Sequence, residues 1–301
     1  MPAPVIIICG PTASGKSDLA LEVARKYNGE IINADSMQLY KGMDIGTAKL
    51  TVAERQGIPH HLLDILDVSQ DASVASYQGL ARAAVDQLRA DGKAAVIVGG
   101  TGLYIKAIID EMNFPETDPA LRKQLEDEAE LLGTAELYSR LRVLDPEAAD
   151  AIEPANTRRI IRALEVIEVT GKPYSANLPS DTSLRYPDAL HIGLSLERSS
   201  LAPRIEARVH RMFDQGLVDE VKTLITQGLL FGATAQRAIG YAQVISMING
   251  DISEAQAIEE TIVATRQYVR RQETWFKRDQ RIQWIGEGVP RLPFIDERLN
   301  F

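Results

Sequence analysis

The 301 residues are 45% hydrophobic and 25% charged, with a net charge of −9 and one cysteine. This composition builds a large globular core and excludes an intrachain disulfide framework. It also excludes a generally basic nucleic-acid binder, though not local basic patches. No apolar run has the length of a membrane span or the layout of a secretory leader, so a cytoplasmic monomer with no membrane partner is expected.

The chain begins with an apolar run, Val5-Ile6-Ile7-Ile8, then Gly10-Pro11-Thr12-Ala13-Ser14-Gly15-Lys16-Ser17, then an amphipathic segment over 18–26. In the order strand, glycine loop, helix, the spacing G-x-x-x-x-G-K-[ST] turns backbone N–H groups around a phosphate at the positive end of a helix. Lys16 adds a mobile charge and Ser17 a hydroxyl suited to Mg²⁺, the one metal ion the sequence implies. Such a loop fits any polyphosphate, a nucleotide such as ATP included. Cys9, at the strand's end, reads as a small buried hydrophobe.

A second strand over 30–34 runs into Asp35-Ser36, and 60–65 reads as a short strand. A helix over 73–90 precedes a strand over 93–98, which ends in Gly99-Gly100-Thr101-Gly102 before a helix from 103. Continuous apolar strands alternating with helices indicate a parallel sheet covered on both faces, with ligands beyond the carboxyl ends of the strands. The glycine loop, Asp35 and Thr101 therefore converge on one crevice.

The alternation stops near 112–115. Residues 118–170 are helical and charge-rich, with caps at Asp118-Pro119 and Asp145-Pro146, and 171–188 read as loop. A strand over 190–196 returns the chain to the sheet, followed by helices over 200–215, 217–227, 235–249 and 253–279 and an edge strand over 281–285. The fold class is α/β: a phosphate-loop parallel-sheet core covered by helices (1–113 and 190–301, the second part mostly helical), with an all-helical insertion at 114–189.

Asp35 suits a general base, or a magnesium partner through water; the plainer reading is that Asp35 or Ser36 caps the next turn. Thr101 fits both an N-cap and a hydroxyl facing the crevice, and its glycines admit a ligand or another backbone. Arg158, Arg159 and Arg162 share helical spacing, and Arg266, Arg270, Arg271, Lys277, Arg278 and Arg281 cluster further on. Either group is a solvated face with ion pairs or a phosphate-tracking surface, with Tyr268, Trp275 and Phe276 as stacking or core residues. The four histidines lack metal-ligand spacing. The strand over 93–98 ends without a Walker B acid, which disfavours an ATPase motor.

The loop 10–17, the run Asp35-Ser36-Met37-Gln38-Leu39-Tyr40-Lys41-Gly42-Met43-Asp44-Ile45-Gly46-Thr47-Ala48-Lys49, and Gly99-Gly100-Thr101-Gly102-Leu103-Tyr104 occur in this order. Arg158-Arg159-Ile160-Ile161-Arg162-Ala163-Leu164-Glu165-Val166 and Ala238-Ile239-Gly240-Tyr241 follow. Together, over nearly the whole chain, they resemble the bacterial tRNA dimethylallyltransferase family. The resemblance implies transfer of a dimethylallyl group from dimethylallyl diphosphate to N6 of adenosine 37 of tRNA, beside the anticodon, releasing diphosphate. Gly10 to Ser17 would then hold the donor's diphosphate, which accounts for the missing acid.

By the same resemblance Asp35 takes the amine proton and Thr101 positions the nucleophile or the diphosphate. Contacts to tRNA are implied for Asp35, Ser36, Met37, Gln38, Thr101, Arg122, Arg158, Arg159, Ile160, Ile161 and Arg162. They are also implied for Arg237-Ala238-Ile239-Gly240-Tyr241-Ala242, in which Ala242 replaces a commonly basic residue. Arg204, Arg208 and Arg211 are weaker candidates for the diphosphate. The zinc-finger cysteine and histidine pattern of eukaryotic relatives is absent from the sequence. The alternatives are a P-loop kinase of a nucleoside or small metabolite, and a nucleotide-gated RNA-binding module without chemistry.

Overall fold

Val5, Ile6, Ile7, Ile8 and Cys9 are all buried, as a strand covered on both faces requires. In the computed structural model, which describes residues 3–175 and 184–299, they form β1 (Val5–Cys9). With β2 (Glu30–Asn33), β3 (His60–His61), β4 (Ala95–Gly99), β5 (Leu190–Leu194) and β6 (Gln283–Ile285) they build a six-stranded sheet of order β3-β2-β4-β1-β5-β6, parallel throughout. The carboxyl ends of β1, β2 and β4, adjacent in this order, carry the three segments expected to meet.

Alternate residues of β1 enter opposite layers. Val5, Ile7 and Cys9 pack with α2 (Val74–Ala90) and α3 (Gly102–Ile109) through Tyr77, Val85 and Ile108; Ile6 and Ile8 pack with α1 (Lys16–Lys26) through Leu19 and Val23. Ser73 caps α2 by accepting from the Ser76 N–H.

The second unit, Asp110–Arg185, is distinct from the unit formed by residues up to Ile109 and from Tyr186 onward. Its limits are 110 and 185, against the expected 114 and 189. It comprises α4 (Pro119–Leu132), α5 (Thr134–Leu144), α6 (Pro146–Ala151) and α7 (Thr157–Thr170) around Leu125, Leu141, Ile160 and Leu164. Asp118 and Asp145 cap α4 and α6 as their sequence signals indicate. Part of the expected loop at 171–188, residues 176–183, lies outside the described residues.

The rest of the first unit holds α8 (Arg198–Asp214), α9 (Leu217–Thr226), α10 (Tyr241–Ile248), α11 (Glu254–Phe276) and α12 (Arg291–Leu299). Two expectations change. The helix over 235–249 divides into a 3₁₀ turn, Ala235–Arg237, and α10, because Gly240 takes φ +91° between them. The strand over 60–65 shortens to β3, since Leu62 and Asp64 adopt positive φ. Helix α12 lies beyond the last expected element, and its Pro293 stands in the first turn, where no N–H is needed.

A Cβ at Gly99 would overlap the carbonyl of Ala34, at the junction of β2 and β4. Backbone cannot yield as a side-chain tip can. Gly99→Ala is therefore expected to cost about 3 kcal/mol, read as a lower urea midpoint with unchanged m-value.

Candidate active site

The loop after β1 needs its glycines for two reasons. Gly10 takes φ +141° and lies against the Leu194 backbone, where a Cβ would stand 2.8 Å from the carbonyl oxygen; Gly15 takes φ +83° before α1. Ala13, without glycine's freedom, is held at φ +62°. Ser14 is buried with its Oγ unpartnered, an unmet polar atom within the loop. Lys16 Nζ donates to the Pro11 carbonyl at 2.6 Å, and burial, with Arg208 nearby, lowers its pKa to about 8. From α12, Arg291 donates to the carbonyls of Ser14 (3.3 Å) and Gly15 (3.4 Å). A crevice of about 880 Å³ opens over this loop, with Asp35, Arg204, Arg208 and Arg211 among its walls.

Beyond β2, Asn33 fixes the chain at Asp35: its Oδ1 accepts from the Asp35 N–H (2.9 Å) and its Nδ2 donates to the Asp35 and Leu62 carbonyls. The Asp35 carboxylate accepts from the Met37 N–H at 3.0 Å, capping the turn Ser36–Leu39. Capping and reactivity coexist here. Burial raises the Asp35 pKa above the ordinary carboxylate value, opposed by the Met37 N–H and by the charges of Lys16 and Arg208.

Thr101 accepts from the Ser36 N–H through its Oγ1 (3.2 Å), and its carbonyl accepts from Tyr104 and Ile105 at the start of α3. The glycines around it serve the protein's own packing. A Cβ on Gly99 would meet Ala34, one on Gly100 would meet Gln272, and one on Gly102 would meet the Trp275 ring. No ligand is needed to explain them.

A second cavity, of about 280 Å³, is lined by Met37, Arg237, Ile239, Tyr241, Tyr268 and Arg271 among others. It shares Thr12, Asp35, Thr47, Arg208 and Met212 with the phosphate-loop crevice. Asp35 thus borders both spaces.

The long run after Asp35 shapes this floor rather than supplying reactive groups. Glu220 accepts from the N–H groups of Asp44, Ile45 and Gly46 and from the Tyr241 hydroxyl (2.6 Å). Gly46 is required because Tyr241 occupies the space of its side chain. Lys49, almost fully buried, donates to the Tyr40 carbonyl and to Asp44 and Asp64. Ala238, Gly240 and Tyr241 are buried, Ile239 and Ala242 half-buried, and Arg237 is exposed.

In the helical unit, Arg158 and Arg159 are exposed at the start of α7. Ile160 and Ile161, expected beside them as tRNA contacts, are core residues, so their side chains are withdrawn from any such contact. Arg122 and Arg162 donate to the fully buried Glu165 at 2.7 and 2.9 Å, and Arg162 also to the Pro115 carbonyl. Their first role is to neutralise that carboxylate.

Of the later basic cluster, Arg266 pairs with Glu206, Arg281 with Asp279, and Arg271 lies 5.7 Å from the Tyr268 ring. Phe276 is core and Trp275 packs on Gly102, leaving Tyr268 as the cavity-facing aromatic of the three. His61 bonds Glu30 and His60 the Ile58 carbonyl. Among the described residues no cluster of three His, Cys, Asp or Glu could hold a metal ion. Sequence reading missed Gln272, Glu220 and Arg291, whose partners lie far away in the chain.

The family model described as IPP transferase matches residues 38–279. The tRNA dimethylallyltransferase of Streptomyces coelicolor is 54% identical over 289 residues, 96% of this chain and 92% of the relative. That of Thermobifida fusca is 54% identical over 293 residues, 96% and 91% of the two chains. The solved tRNA isopentenylpyrophosphate transferase of Bacillus halodurans superposes with a TM-score of 0.72 at 38% identity, covering 99% of this chain and 97% of its own. A eukaryotic dimethylallyltransferase acting on tRNA superposes with a TM-score of 0.80 at 28% identity, covering 94% and 73%. A phosphate loop, a half-buried aspartate and a threonine on adjacent strand ends, together with these likenesses, establish that the chain belongs to the IPP transferase family.

Proposed function

We propose that the protein transfers the dimethylallyl group of dimethylallyl diphosphate to N6 of adenosine 37 in tRNA. The observation that carries this reading is the position of Asp35, on the border between the phosphate-loop crevice, whose walls include Lys16, Arg204, Arg208 and Arg211, and a half-apolar cavity. The donor's diphosphate occupies the first and the extruded adenine the second, so amine and prenyl carbon meet at the carboxylate.

In the reaction the C1–O bond to diphosphate breaks, the N6–C1 bond forms, and the N6 proton passes to Asp35. Thr101 fixes the Asp35 segment through Ser36 and so helps to position the nucleophile. Lys16, the loop N–H groups and Arg208 stabilise the charge growing on the departing diphosphate. The Ser17 hydroxyl would help to hold a Mg²⁺ ion beside the diphosphate, and the ion would supply further charge neutralisation there. Exposed Ser17 suits this role, and unpartnered Ser14 Oγ suits a phosphate oxygen.

The tRNA contacts fall to Arg237 and the cavity rim in the first unit, and to Arg158 and Arg159 in the helical unit. Arg159→Glu is expected to weaken tRNA binding about tenfold at low salt, and less as salt rises. Equal affinities for the two proteins across a salt series would remove α7 from the interface.

The deciding experiment incubates the protein with unmodified tRNA, Mg²⁺ and dimethylallyl diphosphate, without ATP, and analyses the digested nucleosides by mass. A prenylated adenosine supports the transferase. ATP consumption with a small acceptor, and no prenylated product, favours a kinase.

A further inference from the structure

Thr12 belongs to the phosphate loop and Gly100 directly precedes Thr101; a residue far from both in the chain joins them. Gln272 of α11, 4% exposed, accepts from the Thr12 N–H through Oε1 at 3.0 Å and donates from Nε2 to the Gly100 carbonyl at 2.9 Å. With an N–H on one side and a carbonyl on the other, the amide has one satisfactory orientation. The Tyr268 hydroxyl donates to the same Gly100 carbonyl at 3.4 Å. Thr101 in turn accepts from Ser36, next to Asp35. Tyr268, Gln272 and Trp275 follow the i, i+4, i+7 stripe of one helix face, and Gly100 and Gly102 lack side chains where that face arrives.

We propose that Gln272 is a positioning residue that couples the phosphate loop to Thr101. When the loop tightens on an anion, the Thr12 amide moves with it, and the rigid glutamine carries Gly100 and hence the threonine hydroxyl. Donor binding thereby sets the geometry at which Asp35 and the nucleophile meet. This inference rests on the transferase reading for the identity of the anion.

Gln272→Met tests it, because methionine matches glutamine in length and keeps the packing while removing every hydrogen bond. Pyrophosphate affinity is measured by calorimetry and kcat by prenyl transfer, each in wild-type and Thr101→Ala backgrounds. The expected result is about tenfold weaker pyrophosphate binding and about tenfold lower kcat. In the Thr101→Ala background the binding loss persists, while kcat falls by less than about twofold further, as two residues acting through one path require. Tyr268→Phe, which keeps the ring, is expected to lower kcat about threefold with pyrophosphate affinity unchanged. Wild-type affinity and kcat in Gln272→Met, or kcat losses that multiply fully with Thr101→Ala, would overturn the coupling. Pyrophosphate binding is read without transfer, so a wild type forming no prenylated adenosine refutes the proposed function, whereas unchanged binding in Gln272→Met refutes this inference alone.

Discussion

Asp35→Asn is expected to lower kcat about a thousandfold while leaving tRNA affinity within about threefold of wild type. Asparagine is isosteric and still accepts from the Met37 N–H, so the turn Ser36–Leu39 and the cavity wall survive. What it loses is the capacity to accept a proton. The pH profile supplies an independent sign. Burial raises the Asp35 pKa, and the base works only when ionised, so kcat/KM climbs as pH rises through a value above the ordinary carboxylate range. Asp35→Asn should lose that rising limb along with the activity. A tenfold loss of tRNA affinity with unchanged kcat would refute the assigned role.

Lys16→Met is expected to cut kcat/KM for the prenyl donor about a thousandfold, because the lost charge faces the diphosphate where negative charge grows. The wild-type lysine adds a pH signature. With a pKa near 8 in the free protein, its ammonium form prevails below that pH and disappears above it. Wild-type kcat/KM should therefore fall as pH rises past about 8, and Lys16→Met should lack that falling limb. A bound diphosphate favours the ammonium, so the limb belongs to kcat/KM and not to kcat. Preserved donor efficiency in Lys16→Met would place the diphosphate elsewhere.

The parallel sheet was legible because its strands are unbroken apolar runs and its loops carry glycine and cap signals. That the loop 10–17, Asp35 and Thr101 follow neighbouring strand ends was legible from the alternation of strands and helices. Local rules failed where distant parts of the chain decide the structure. The glycines of Gly99-Gly100-Thr101-Gly102 read locally as room for a ligand or another backbone, and only the fold reveals that the Ala34 backbone and the Gln272 and Trp275 side chains fill that room. Ile160 and Ile161 sit between arginines in sequence, but helical geometry turns them into the core. Gln272, Glu220 and Arg291 act on backbone groups far away in the chain, and no short pattern announces such contacts.

The hold of Gln272 and Arg291 on the phosphate loop also constrains the order in which the protein matures. The loop's own residues leave the ribosome well before the groups that fix Thr12, Ser14 and Gly15, which are synthesised 260 to 277 residues later. β1, too, waits for β4 and β5 on its two sides. Contacts this distant cannot form during early elongation, and they slow folding by the loop-closure entropy they demand. A nascent chain stopped before α11 would carry the whole glycine motif with no anchor for it. Competence to grip an anion thus waits for the synthesis of α11, the helix whose Gln272 reaches both the loop and Gly100.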